Sequence, residues 1–409
     1  MKVLQINAVY GHASTGEIAR EINLCVKQNG GKIYAASSEA AVDAPELDGY
    51  FAIGNRFDHK IHGLYSRLSG CQGYASTGAT KKLIHQIDEI QPDIIHLHNL
   101  HSNYINLKIL FAYIMQKKIK TVITLHDCWF LTGKCSHFMY TGCQRWRNHC
   151  GECPWLKEEI PSWLFDKTEQ VLRDKAHFIG ENENVYVVGC SDWITNIARE
   201  SILKNRVWGT IHNGIDVSIF CPRQSNLRNQ HGIENCYVIL GMANKWLSKE
   251  NKEVFQGFTA KLKSDERLML IGCTQEQIKV LPDKVVGVGY VRGRKELAEY
   301  YSMADVFMNV TKVDTFPTVN MEALACGTPV ITFDSGGSAE IITEENGVAV
   351  PYGDVTGLVN QKAYFRKIGK KILTVQCTNH VRNHFEKEKS YLRYIDLYNT
   401  LMHEYGDLG

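Results

Sequence analysis

Two carboxylates, Asp314 and Glu322, stand eight residues apart in the stretch 314–340, and Phe316-Pro317 lies between them. Proline has no N–H to give a helix and fixes φ, so it suits a loop end or the first turn of a helix. The spacing predicts a loop over 314–318 and a helix over 319–325. Gly327 ends that helix, Pro329 stops it continuing, and 330–333 reads as the next strand. A loop that enters a helix in this way offers free N–H groups and the positive end of the helix dipole, which suits a phosphate or a sugar hydroxyl. Glu322 falls about one turn into the helix, so both acids can face one cleft.

Other residues could join such chemistry. His96 and His98 are two apart in an apolar strand and share a face, and His126-Asp127 closes the next strand. A histidine taken alone is more often structural than catalytic. Strand ends line the clefts of α/β proteins, however, and His126 is the first choice of the three. Lys245, Lys249 and Lys252 follow a strand end and open a helix; they read either as a solvated face or as phosphate contacts. The first strand-to-helix turn, 9–17, contains Gly16, with Ser14 or Thr15 as caps. It matches neither a dinucleotide fingerprint nor a P-loop, and reads as a plain turn or as an approach to substrate.

Cys135, Cys143, Cys150 and Cys153 have the spacing C-x7-C-x6-C-x2-C in a stretch without an apolar period. Such a loop needs a staple. Four thiolates around a structural zinc would supply one; two disulfides or four reduced thiols are the alternatives. Cys128 and His137 are spare ligands. The chain has 13 cysteines, an odd number, which argues against a full disulfide framework.

Short apolar runs at 3–7, 32–36, 50–54, 94–98, 121–126, 186–190 and 208–213 alternate with helical stretches, and the pattern resumes at 237–243, 268–272, 285–290, 306–310, 330–333 and 348–350. Strands spaced by helices imply βαβ units and parallel sheets. Three regions follow. They are 1–216, with a cysteine-rich insertion at 128–154; 217–384; and 385–409, where Tyr391, Tyr394, Leu397, Tyr398 and Leu401 give 387–402 an apolar helical face. With 46 Lys+Arg against 44 Asp+Glu, there is no strong electrostatic case for nucleic acid. The N-terminus lacks the apolar core of a signal peptide, and the most apolar run, 109–115, is too short to span a bilayer. A cytoplasmic protein is expected, with peripheral contact at the inner membrane face left open.

Asp314, Phe316, Pro317, Glu322, Ala323, Cys326-Gly327-Thr328-Pro329-Val330, Gly336-Gly337 and Glu340 together resemble family 4 of the retaining nucleotide-sugar glycosyltransferases. His126-Asp127, Asn213-Gly214-Ile215-Asp216 and Ala304-Asp305-Val306-Phe307 match further blocks of it, so the resemblance covers nearly the whole chain. The stretch 128–154 is similar to members that build bacterial capsular and exopolysaccharides of the colanic-acid type. The resemblance implies the α/β GT-B fold, two Rossmann-like domains with parallel sheets facing an interdomain cleft. The N-terminal domain would bind the acceptor, the C-terminal domain the nucleotide sugar, and the last helix would cross back to the first domain.

By the same resemblance Glu322 binds the nucleotide ribose. Asp314, where the family usually has glutamate, contacts the donor sugar. The backbone of Phe316, Pro317, Thr318 and Val319 holds sugar or phosphate oxygens, and Gly16 lies on the donor side of the first turn. Lys245 matches the family's arginine on the diphosphate. Its usual lysine position carries Glu250 here, which leaves Lys249, and after it Lys252, as the second cation. His126 would orient acceptor or donor sugar. The expected reaction is retaining transfer from a nucleotide-diphosphate sugar to a saccharide or lipid-linked saccharide, with no metal needed for catalysis. A nucleotide-sugar epimerase or hydrolase, and a non-catalytic zinc-stapled binding protein, are the alternatives.

Overall fold

Short runs of aliphatic and β-branched residues, buried on both faces in the inner strands and partly exposed at the sheet edges, form thirteen strands in a computed structural model that describes residues 1–403. Seven build the first sheet: β1 (Lys2–Ile6), β2 (Lys32–Ser37), β3 (Gly49–Ala52), β4 (Ile94–Leu97), β5 (Lys120–Leu125), β6 (Val185–Gly189) and β7 (Val207–Thr210). Six build the second: β8 (Tyr237–Met242), β9 (Glu266–Ile271), β10 (Val285–Val288), β11 (Val306–Asn309), β12 (Val330–Phe333) and β13 (Gly347–Val350). Every ladder is parallel. The orders are β3-β2-β1-β4-β5-β6-β7 and β10-β9-β8-β11-β12-β13. In each sheet the winding reverses beside the first strand, between β1 and β4 or between β8 and β11. At that reversal the loops leaving the strand ends splay apart and leave room for a ligand.

The chain divides into two units. One holds Met1–His212 together with the chain from Tyr391; the other holds Asn213–Ser390. The sequence reading put the division after Asp216. Residues 213–216 belong to the second unit because Ile215 N donates to Phe385 O at 2.9 Å and Lys387 N to Ile215 O at 3.0 Å, while Lys387 Nζ pairs with Asp216 at 3.0 Å. The last helix, Lys387–His403, therefore starts in the second unit. From Tyr391 onward it packs in the first, where Tyr394, Tyr398 and Leu401 lie in one core with Val3, Ile22, Ile94 and Val122. Burying a large apolar side chain is worth roughly 1.5–3 kcal/mol, so this helix is an integral part of the first core. Residues 404–409 of the expected C-terminal segment lie outside the described residues.

Two local readings change. The first helix, Ala13–Gln28, starts after His12, so Ser14 and Thr15 are inside it and cap nothing; Thr15 Oγ1 instead accepts from Asn7 Nδ2 at 3.2 Å. The three lysines do not share one helix. Lys245 is in a single turn, Ala243–Trp246, Lys249 opens a 3-10 turn, Lys249–Asn251, and Lys252 begins Lys252–Thr259. Asn251 breaks the run: its buried amide donates to Lys245 O at 3.0 Å and Val310 O at 2.7 Å. That ties the segment after β8 to the end of β11.

Candidate active site

In the second unit the loop after β11 carries Asp314 and the helix Thr318–Ala325 carries Glu322. The loop is held by its own polar groups. Asp314 Oδ1 accepts from Phe316 N at 3.2 Å, Asp314 O accepts from Gly337 N at 3.1 Å, and Ser335 Oγ donates to Thr311 O at 2.9 Å. Gly336 is required here. Its φ is +59°, and a Cβ on it would sit 1.9 Å from Asp314 O. The loops after β11 and β12 are thus locked back to back, which fixes where Asp314 can point.

Pro317 precedes the helix, and no side chain caps its N-terminus. Of the backbone expected to hold oxygens, Phe316 N is already engaged by Asp314 and Pro317 has no N–H. The anion-facing donors of this turn reduce to Thr318 and Val319, a narrower set than the sequence implied. Three buried polar atoms nearby have no hydrogen-bond partner: Thr315 Oγ1, Asn320 Nδ2 and Ser338 Oγ.

Glu322 is half-buried, and one of its oxygens is spoken for. Tyr301 donates its hydroxyl hydrogen to Glu322 Oε2 at 3.0 Å. Burial pushes the Glu322 carboxyl up from its ordinary value, while the Tyr301 hydroxyl, the Arg294 charge and the Thr318 hydroxyl pull it down. Arg294 also lies over the Phe220 ring, 5.5 Å from its centroid.

Lys245 is half-buried and Lys249 exposed. Lys252 faces elsewhere. With Phe255, Gln256 and Thr259 it lines a groove closed by Val280 and Pro282 on the approach to the edge strand β10. A further cation, Lys312, sits in the loop after β11 with its Nζ 5.7 Å from the Tyr352 ring centroid, and Tyr352 OH donates to Asn251 Oδ1 at 3.1 Å. Lys312, Arg294 and Tyr301 were missed from sequence. Only Lys312 had a signal, its place two residues before Asp314.

In the first unit three histidines cluster at the ends of β4 and β5. His98 Nε2 lies 2.6 Å from Gln5 Oε1, and His98 Nδ1 lies 2.8 Å from His126 Nε2. A carboxamide oxygen only accepts, so His98 is protonated on Nε2 and accepts at Nδ1. His126 must then donate through Nε2 and keep the lone pair on Nδ1. Burial holds His126 down to about 4, against a smaller opposing pull from Asp127. His96 is spent on the last helix and on β5, through Tyr398 OH at 2.6 Å and Thr124 Oγ1 at 2.7 Å, and is structural. Asp127 is engaged by His101 at 3.0 Å and by Trp129 N at 2.8 Å. Gly16 is buried, and a Cβ there would lie 3.0 Å from Val9 Cγ2 and 3.2 Å from Val9 O. Its small size is used by the turn itself.

The second unit, from β8 to the helix Val355–Ile368, matches the family described as glycosyl transferases group 1 over residues 237–364. Over that span the chain is similar to this family. The chain is 26% identical to Escherichia coli WcaC, named for colanic acid biosynthesis, over 66% of each chain. It is also 26% identical to an N-acetyl-alpha-D-glucosaminyl L-malate synthase of Bacillus anthracis, over 55% of this chain and 62% of that one. The alignments thus span just under two thirds of those relatives' lengths. Among solved structures, a sucrose-phosphate synthase from Thermosynechococcus elongatus superimposes with a TM-score of 0.71 over 98% of this chain and 99% of that one, at 16% identity. Anabaena HepE, solved with UDP-glucose, gives 0.67 over 98% and 100%, at 15% identity. These likenesses show the GT-B fold.

The first unit also carries the four loop cysteines on one small cavity, together with Lys134, Phe138, Trp146 and Thr168. Gly133 N donates to Cys150 Sγ at 3.3 Å, and Trp155 N to the Cys153 sulfur. All four are free thiols. No three of the four sulfurs lie within 4.8 Å of one another, so a common ligand would draw the loop inward.

Proposed function

We propose that this glycosyltransferase moves a sugar, with retention of configuration, from a nucleotide-diphosphate sugar to a saccharide or lipid-linked saccharide in cell-surface polysaccharide assembly. The observation that carries the reading is the uncapped helix start behind Pro317, placed at the reversal of the second sheet with Glu322 one turn inside it. Support for the donor comes from HepE, solved with UDP and with UDP-glucose. Support for the product class comes from the name of WcaC.

In this reading the Glu322 oxygen not taken by Tyr301 accepts from a ribose hydroxyl. Asp314, oriented by the Phe316 amide, meets the donor sugar. Negative charge grows on the diphosphate as the glycosidic bond breaks, and fixed donors placed there lower the barrier. Thr318 N, Val319 N, Lys245 and Lys249 are the candidates, and none of these contacts requires a metal. Neutral His126 presents an acceptor nitrogen to a sugar hydroxyl. It orients, and its low basicity makes it a poor proton acceptor at neutral pH.

Incubating the enzyme with a panel of nucleotide sugars, with and without saccharide acceptors and with chelator present, tests the reading. Acceptor-dependent release of nucleoside diphosphate, unaffected by chelator, and a product retaining the donor's anomeric configuration by NMR are expected. Turnover that never depends on acceptor would overturn it.

A further inference from the structure

The helix Arg56–Ser69 is built inside out. Its inward residues are His62, Gly63 and Ser66. Its outward stripe is Phe57, Ile61, Leu64, Tyr65 and Leu68, exposed by 70, 50, 50, 42 and 40%. Beside it Trp163 N donates to Arg67 O at 2.6 Å, and the tip Trp163, Leu164 and Phe165 is itself exposed by 52, 65 and 55%. Eight of the seventeen large exposed apolar side chains among the described residues thus fall on one face. Scattered apolar side chains are ordinary on a surface; a concentration of this kind is an interaction site.

Charge indicates the occupant. Arg56, Lys60 and Arg67 recur at helical spacing along one edge of the stripe. The helix's acid, Asp58, is spent capping Asn55 N at 3.0 Å. Around the tip, Lys157 and Lys167 are exposed. Glu159 is engaged by Ser136, and Asp166 by Cys153 N and Thr168; Glu158 is exposed and offsets one cation. Aromatic and aliphatic side chains flanked by a row of cations suit the interface of an anionic bilayer. No helix among the described residues is long and apolar enough to cross a membrane. We infer that this face seats the protein on the surface of an anionic lipid bilayer, with the apolar stripe and the 163–165 tip at the headgroup boundary. The inference is independent of the sugar-transfer reading, because its readout needs no donor.

Co-sedimentation of the full chain with phosphatidylcholine vesicles, with and without phosphatidylglycerol, tests it. Capture should require the anionic lipid and weaken as salt is raised. It should fall about tenfold or more in Leu64→Ser/Phe165→Ser and in Arg56→Gln/Lys60→Gln/Arg67→Gln, with thermal midpoints unchanged. Wild-type protein left in the supernatant with both vesicles would overturn it, as would variants that bind like wild type. A dimer by light scattering that the apolar variant makes monomeric, with no vesicle capture, would assign the face to a second copy instead.

A different set of observations concerns the cysteine loop. Lys134 and Lys175 are buried, 6% and 3% exposed, and each amine donates to two carbonyls and no carboxylate: Trp155 and Glu158 for Lys134, Trp129 and Thr132 for Lys175. Both lie within electrostatic reach of thiols and of carboxylates, Lys134 of Cys153, Cys135, Glu159 and Asp166, Lys175 of Cys150, Asp127 and Cys135. A divalent ion held by four thiolates has a net charge of about −2, a negative charge that would favour the ammonium form of both buried lysines. With the amide bonds to Cys150 and Cys153, the geometry points to a structural zinc on Cys135, Cys143, Cys150 and Cys153. Protein purified without added metal should contain about one zinc, lost in Cys143→Ser and in Cys150→Ser. Zinc below about half an equivalent, or two disulfides by mass after alkylation without reduction, would overturn this.

Discussion

Tyr301 and Glu322 meet across 3.0 Å, hydroxyl to carboxylate, from two helices on the second sheet. Together with the Thr318 hydroxyl, the bond sets how the carboxylate is presented to a ligand. Tyr301→Phe should therefore weaken donor binding rather than chemistry. The expected result is a donor KM raised about five- to tenfold, with kcat within about twofold and about 1 kcal/mol lost from stability. Steady-state kinetics and urea unfolding check it.

Gly336 lies against Asp314 O in a conformation that L side chains rarely adopt. Gly336→Ala should cost about 3 kcal/mol, from strain and from the forced shift of the Asp314 loop. Urea unfolding should show that loss, and any folded fraction should bind donor poorly by calorimetry.

The lysines separate by direction. Lys245→Gln should lower kcat about 100-fold, as expected for a group meeting charge that develops in the transition state. Lys252→Gln, on the groove toward β10, should leave kcat within about twofold. Equal losses in both variants would show that the run acts only through general positive charge.

Acid should destabilise the first unit through its buried neutral histidines. Burial holds both His62 and His126 down to about 4, against an ordinary value of 6.5. Between those values the unfolded chain binds more protons, so stability is full above about pH 6.5, falls as pH drops from 6.5 to about 4, and levels off below that. For the fully buried His62 the loss approaches about 3 kcal/mol. Chemical unfolding from pH 7 to 4 should show it, and His62→Asn should flatten that part of the curve.

Most of the framework was legible in the sequence because the inner parallel strands, buried on both faces, leave an apolar signature and the edge strands keep part of it. All thirteen strands fall on runs visible in the sequence. The Thr318–Ala325 helix was equally readable, since proline and glycine mark its two ends. Three-dimensional proximity was not readable. Nothing in the order of residues brings Tyr301 to Glu322, or Gly337 to Asp314. The single-helix reading of the three lysines failed because Asn251 bonds across to Val310, a tertiary contact with no local sign. The Arg56–Ser69 helix eluded the reading for another reason. Its apolar spacing is that of a core helix, and only the structure shows that the stripe faces outward.

The central claim is that the second unit binds a nucleotide-sugar donor through Glu322. Acceptor-dependent release of nucleoside diphosphate, measured for wild type and Glu322→Gln with the best donor found, tests it most directly. The account predicts a loss of about 100-fold in kcat/KM with an unchanged thermal midpoint. A Glu322→Gln enzyme that turns over at the wild-type rate would contradict it.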